Sequence, residues 1–157
     1  MPKWYVVALG VLAAAPVQAS AQHAKAEVIQ AVKSFLGGMQ TRDSAGLAAL
    51  LDPNTRFTLL RPGQAGGWQV VVLTGAQYLQ IVMNPSTPAA EERIRNPVVQ
   101  IDGDLASVWT EYQLLVNGAM SHCGTDAFHL VRLGGRWKIL NISDTFRQQG
   151  CGDPWPK

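Results

Sequence analysis

The amino-acid sequence predicts an α+β domain in which helices cover one face of an antiparallel sheet. Two observations predict it. Val98 to Phe146 carries strand-like runs joined by the turn dipeptides Asn117-Gly118 and Gly134-Gly135, led in by Asp102-Gly103-Asp104. Upstream, apolar residues recur at helical spacing both before and after a pair of short strand-like runs.

At the N-terminus, Lys3 supplies a positive charge ahead of an apolar run from Trp4 to Ala15, roughly a dozen residues, the length of a signal-peptide core. Val17-Gln18-Ala19 and Ala19-Ser20-Ala21 each offer a small-residue cleavage pattern. A membrane anchor is the alternative, but the run is shorter than the roughly 20 residues a span requires. No cysteine stands near the cleavage positions to take a lipid. The expectation is a cleaved signal over 1–21, a domain over 22–147, an irregular tail over 148–157, and a periplasmic or secreted protein.

From Ala24, residues Val28, Ile29, Val32, Phe35, Leu36 and Met39 form one helical stripe, weakened near its end by Gly37-Gly38. Asp43 or Ser44 caps a second short helix with Leu47, Leu50 and Leu51 on its apolar side, and Asp52-Pro53 is expected to stop it. Thr55 to Leu60 reads as a strand. Arg61 to Gly67 reads as a surface loop, because it lacks both the Lys-Ser/Thr of a P-loop and the G-x-G-x-x-G order. Trp68 to Leu73 is a further strand, and Thr74 caps a helix from Gly75 to Asn84 with Tyr78, Ile81 and Val82 on one face. Strands are then expected at 91–101, whose polar start suits a sheet edge, and at 105–116, 121–133 and 136–146, paired in sequence as an antiparallel meander.

The hydrophobic fraction of 47% and charged fraction of 15% are those of a folded domain. The formal net charge is +2, or +1 without Lys3, and no basic cluster exists, so a nucleic-acid footprint is absent. The two cysteines, Cys123 and Cys151, are expected to pair in an oxidising compartment and to tether the tail. The alternatives are one buried and one free thiol, or a metal pair with too few ligands. There is no HExxH, no CxxC and no nucleophile elbow, so no metal or cofactor is expected.

Ile101-Asp102-Gly103-Asp104-Leu105-Ala106-Ser107-Val108, Phe128-His129-Leu130-Val131-Arg132 and Gly135-Arg136-Trp137-Lys138-Ile139, downstream of the helical hairpin, resemble the nuclear-transport-factor-2-like superfamily in its SnoaL-like or "putative lumazine-binding" branch. The resemblance covers roughly Ala24 to Phe146. It implies a curved sheet wrapped around the N-terminal helices, a cone-shaped, cystatin-like α+β barrel with a pocket at its open end. Members include isomerases, dehydratases, cyclases, hydrolases and binding modules, frequently dimeric, so the fold leaves the function open.

Strand alternation sorts the candidate site residues. Ala106, Val108, Thr110, Tyr112 and Leu114 share one face; so do His122, Asp126, Phe128 and Leu130 on the next strand, and Leu140, Ile142, Asp144 and Phe146 on the last. If the apolar members mark the concave side, Tyr112, His122, Asp126 and Asp144 point into the pocket, provided no bulge shifts the parity. Phe35, Met39, Phe57, Tyr78, Tyr112 and Phe128 are expected as its walls. A histidine and two carboxylates beside an apolar cavity supply a tunable acid/base set, while Asp144 paired with Arg147 and a solvated His122 are the plainer readings. His129 falls on the opposite face. Trp109 and Trp137 are expected to pack on the sheet or in an interface.

Three functions fit. The leading one is an exported domain that binds a small, largely apolar or aromatic molecule. The second is a cofactor-free isomerase or dehydratase with Asp126 or Asp144 as base and His122 or Tyr112 as partner. The third is a homodimeric interaction module joined through the outer sheet face.

Overall fold

In the computed structural model, which describes residues 15–156, the chain runs α1 (Ala15–Thr41), α2 (Ser44–Leu50), β1 (Leu51–Pro62), β2 (Trp68–Thr74), α3 (Gly75–Met83), β3 (Ala90–Asp102), β4 (Leu105–Val116), β5 (Ala119–Leu133) and β6 (Arg136–Asp144). The positive and apolar parts of the expected signal, up to residue 14, lie outside the described residues. Helix α1 starts ahead of the expected Ala24 and passes Ala19 and Ala21 without a break.

The stripe on α1 is buried as its spacing predicts, with Val28, Val32, Phe35, Leu36 and Met39 in the core. Gly37-Gly38 does not end the helix. A Cβ on Gly38 would stand 2.9 Å from Leu47 Cδ2, so the glycine admits α2 against α1. Asp43 caps α2, its Oδ1 accepting from the Gly46 amide at 2.9 Å. Thr74 and Gln77 close a reciprocal capping box at the start of α3.

Two expectations fail around β1. Asp52-Pro53 lies inside that strand rather than terminating α2, and Arg61 belongs to the strand rather than to the loop after it. Both follow from a long-range pairing: β1 lies parallel to β6, Phe57 opposite Ile142 and Leu59 opposite Asp144, and this extends β1 beyond what its own sequence specifies.

The sheet order is β2-β1-β6-β5-β4-β3. Strands β3 to β6 form the expected antiparallel meander, and β3 is an edge along its whole length. With β2 as the other edge, the curved sheet stays open and does not close into a barrel. Helix α1 packs on β3 and β6, and α3 on β1 and β2.

A bulge shifts the parity of β6. His129 pairs with Asn141 but Leu130 with Ile139, leaving Leu140 as the extra residue. The expected set of Leu140, Ile142 and Asp144 therefore loses Leu140, while Ile139 and Trp137 turn into the core. Trp137 is thus a core residue, covered at one edge by Arg132, whose guanidinium lies 4.5 Å from the ring.

The tail is irregular and firmly held. Cys123 and Cys151 form the disulfide, with Cα atoms 5.6 Å apart. Gln113, opposite Cys123 across β4 and β5 and fully buried, donates to the carbonyls of Cys151 at 2.7 Å and Asp153 at 3.0 Å, and accepts from the Trp155 amide at 2.8 Å. Arg93 donates to the Trp155 carbonyl, and the Arg95 guanidinium lies 4.0 Å above the Trp155 ring.

Candidate functional site

Under the concave face lies a chamber of about 120 Å³. Its apolar side is built by α1, β1, α3 and β5. Phe57 and Tyr78 stack with centroids 3.8 Å apart and planes 7° apart, Phe35 lies 6.0 Å from Phe57, and Phe128 completes the wall. Five of the six expected wall residues line it. Met39 does not: it is buried behind Tyr78, whose hydroxyl donates to its sulfur at 2.7 Å.

The polar side unites Tyr112, His122, Asp126 and Asp144, the four expected side chains, with two that the sequence reading missed, Arg61 and Glu92. Asp126 and Asp144 are directly opposite one another on β5 and β6, where two like charges repel. The fold relieves that repulsion in two different ways.

Asp144 is met by a cation. Arg61 Nη1 lies 2.6 Å from Oδ1 and Nη2 2.7 Å from Oδ2, a two-pronged ion pair, and the Leu60 amide donates to Oδ1 at 3.2 Å. Burial works against the charge on Arg61, but the bonds to Asp144 outweigh it and the guanidinium stays ionised. The partner of Asp144 is therefore Arg61, not Arg147. The carboxylate is saturated and poorly placed to act as a base.

Asp126 has no cation of its own. It is 3% exposed, and among the described residues its Oδ2 receives no fixed donor. What faces it is another carboxyl, that of Glu92 on edge strand β3. Burial pushes Asp126 well above the usual carboxylate range, and the neighbouring Glu92 pushes it further. Burial likewise lifts Glu92 to about 7, with the Asp144 charge adding to it. Two carboxyls in such contact hold a proton between them, since both cannot ionise cheaply. The pair presents one O–H donor beside carboxylate acceptors.

His122 is half-buried, its ring edge-on to Tyr112 at 5.7 Å and tilted over Phe146 at 4.5 Å, with Nδ1 3.1 Å from Ser121 Oγ. Burial and the Arg61 charge lower its pKa, so the imidazole is neutral at pH 7. Tyr112 is fully buried and donates its hydroxyl proton to the Thr145 carbonyl at 2.8 Å, which leaves no proton for a ligand oxygen. Gly124 makes that arrangement possible, because a Cβ there would stand 2.0 Å from the Thr145 oxygen and 2.6 Å from Tyr112 Cε1. Burial and the surrounding carboxyls raise the phenol pKa of both Tyr112 and Tyr78, keeping them neutral.

Glu92 and Arg61 carried a signal. Arg61 alternates with Phe57 and Leu59, and Glu92 with Ile94, so each is a charge on an otherwise apolar face. Among the described residues no group of three His, Cys, Asp or Glu is arranged to hold a metal ion.

Residues 23–143 match the family model described as "Putative lumazine-binding". No curated protein matches the chain. Solved structures share the fold: a protein of unknown function with a cystatin-like fold from Nostoc punctiforme is 10% identical, with a TM-score of 0.64 over 80% of this chain and 92% of that one. A nuclear-transport-factor-2-like protein from Cytophaga hutchinsonii is 16% identical, with a TM-score of 0.63 over 76% and 95%. Another, with a cystatin-like fold, from Novosphingobium aromaticivorans is 9% identical, with a TM-score of 0.66 over 92% and 95%.

Proposed function

We propose that this chain, which belongs to the "Putative lumazine-binding" family of the nuclear-transport-factor-2-like superfamily, binds a small planar molecule by an edge that carries N–H and C=O side by side. The observation that carries this reading is the proton-sharing pair of Asp126 and Glu92 at the end of an aromatic-walled chamber. Its O–H donates to a carbonyl while its carboxylate accepts from the adjacent N–H, the complement of a cyclic amide or imide edge. The ring lies among Phe35, Phe57, Tyr78 and Phe128. The family's name supports the same class, since lumazine is a planar heterocycle with such an edge.

The test is calorimetric titration at pH 7.5, above the Glu92 value of about 7, with lumazine and with 1,3-dimethyllumazine, whose N–H groups are blocked. Lumazine is expected to bind, and the dimethyl form at least tenfold more weakly. Asp126→Asn, which keeps the shape and loses the shared proton, is expected to weaken lumazine by a similar factor. Equal affinity for the two compounds, or no binding of either, rejects the reading.

The same pair favours a second reading, cofactor-free proton transfer, because a carboxyl poised near pH 7 is suited to act as base. Glu92 and Asp126 take that role together as one coupled acid pair, and Asp144 does not. Turnover of a bound ligand, detected as product in the calorimeter cell, distinguishes it from simple binding.

We also infer an exported homodimer. The Cys123–Cys151 bond and the Lys3–Ala15 pattern support export. No described helix is long and apolar enough to cross a membrane. The outer sheet face supports self-association, with Trp109 60% and Val98 58% exposed beside one another on β4 and β3. Native mass spectrometry of protein expressed with residues 1–21 reads cleavage after Ala19 or Ala21, the disulfide and the subunit number together. An uncleaved monomer refutes both inferences.

A further inference from the structure

The inner chamber has room for only one ring of the ligand class just proposed. At about 120 Å³ it is comparable to the roughly 150 Å³ of a dry cavity that accepts one benzene ring, and well below the roughly 300–1,000 Å³ of ordinary small-molecule sites. One ring fills it. A second space of about 320 Å³ lies between α1 and β3, and Glu92 lines both. Its floor is Leu36, Gly37 and Ile94, its rim Lys33 and Gln40, and its outer end Pro156 of the tail.

We propose that this α1/β3 cleft is the second compartment of the same binding site, entered past Glu92, and that the ligand is a fused two-ring heterocycle whose outer ring lies in the cleft. The proposal rests on the reading of the inner chamber given above. Three features of the cleft argue for it. Glu92 is the one residue common to the two linings, and beyond it Leu36 and Ile94 give the cleft an apolar floor for a ring. Gly37 leaves α1 bare where an outer ring lies, with no atom within 4 Å of the position a Cβ would take. Lys33 and Gln40 bring donors to the rim, and Lys33 has no ion pair among the described residues, whereas Arg93 is bound to Glu91 at 2.8 Å. An ammonium and an amide there suit acceptor atoms of an outer heterocyclic ring.

The tail supplies the outer wall. Pro156 reaches the cleft because the disulfide, the Gln113 side chain and the Arg95–Trp155 contact fix the preceding residues. The two compartments therefore have separate supports, the sheet for the inner one and the disulfide-held strap for the outer one.

Gly37→Leu tests this without endangering the fold, since it replaces a half-turn of bare helix by a better helix former and fills the cleft. Uracil, the one-ring compound with the same edge, serves as the probe of the inner chamber, and lumazine as the probe of both. Gly37→Leu is expected to weaken lumazine at least tenfold and leave uracil within twofold. Cys151→Ser is expected to weaken lumazine several-fold, again sparing uracil, and Asp126→Asn to weaken both. Lumazine affinity unchanged in Gly37→Leu overturns the second compartment while leaving the inner site standing. Failure of both probes on the wild-type chain removes the inner site and the cleft with it.

Discussion

Asp144 and Asp126 sit opposite one another on adjacent strands, face the same chamber, and differ in what satisfies them. Asp144 is closed by a cation: both oxygens are taken by Arg61 and a backbone amide adds a third bond. Asp126 is closed by a proton shared with Glu92. The first arrangement ties β1 to β6 and leaves nothing for a ligand. The second leaves a donor and acceptors whose roles exchange when a ligand or a base arrives. Two aspartates in equivalent sheet positions thus divide into an anchor and a reactive group, and the neighbour, not the residue type, decides which is which.

The strongest way to break the contrast is to remove the cation. Arg61→Met strands a buried carboxylate opposite the acid pair and is expected to lower stability by about 2–4 kcal/mol, below the largest values for buried pairs because Arg61 is partly open to water. Adding Asp144→Leu is expected to recover most of that loss, since a pair replaced by apolar residues is close to neutral. Urea unfolding reads both. A single variant as stable as the wild type means the ion pair is not an anchor.

Proton dependence sharpens the other half. Glu92 holds its proton in the folded chain up to about 7, whereas its ordinary value is 4.5. Between those values the native state binds more protons than the unfolded one, so this contribution to stability falls as pH rises, by about 2 kcal/mol across the window. His122, held neutral by burial, contributes the opposite slope below its ordinary 6.5, so the informative comparison is wild type against Glu92→Gln. The smallest expected effect is there: the variant gains about 2 kcal/mol on the wild type between pH 4 and pH 8. Parallel pH profiles for the two proteins contradict the shared proton.

Much of this was legible in the chain. Alternation put Tyr112, His122, Asp126 and Phe128 on the pocket face, because β4 and β5 pair locally through the Asn117-Gly118 turn and the pleat fixes direction. The Thr74 cap and both ends of β4 were readable for the same local reason. Arg61 and Glu92 were missed despite the same alternation, because both belong to strands whose extent depends on distant partners. Arg61 follows β6 past the point where its own Pro-Gly neighbourhood signals a loop, and Glu92 sits among charges that read as a solvated edge until α1 covers it. Leu140 was misplaced by a bulge that no composition marks.

The clamp formed by Gln113 and Cys123 has a practical consequence. The two face each other across β4 and β5, one offering a covalent bond and the other three hydrogen bonds, and together they bring Pro156 to the outer edge of the α1/β3 cleft. Whatever is joined after Pro156 starts from that edge. An affinity handle or reporter placed there crowds the cleft and distorts any binding assay, unless a flexible spacer carries it clear. A small environment-sensitive dye attached at the same end is already positioned to report on occupancy.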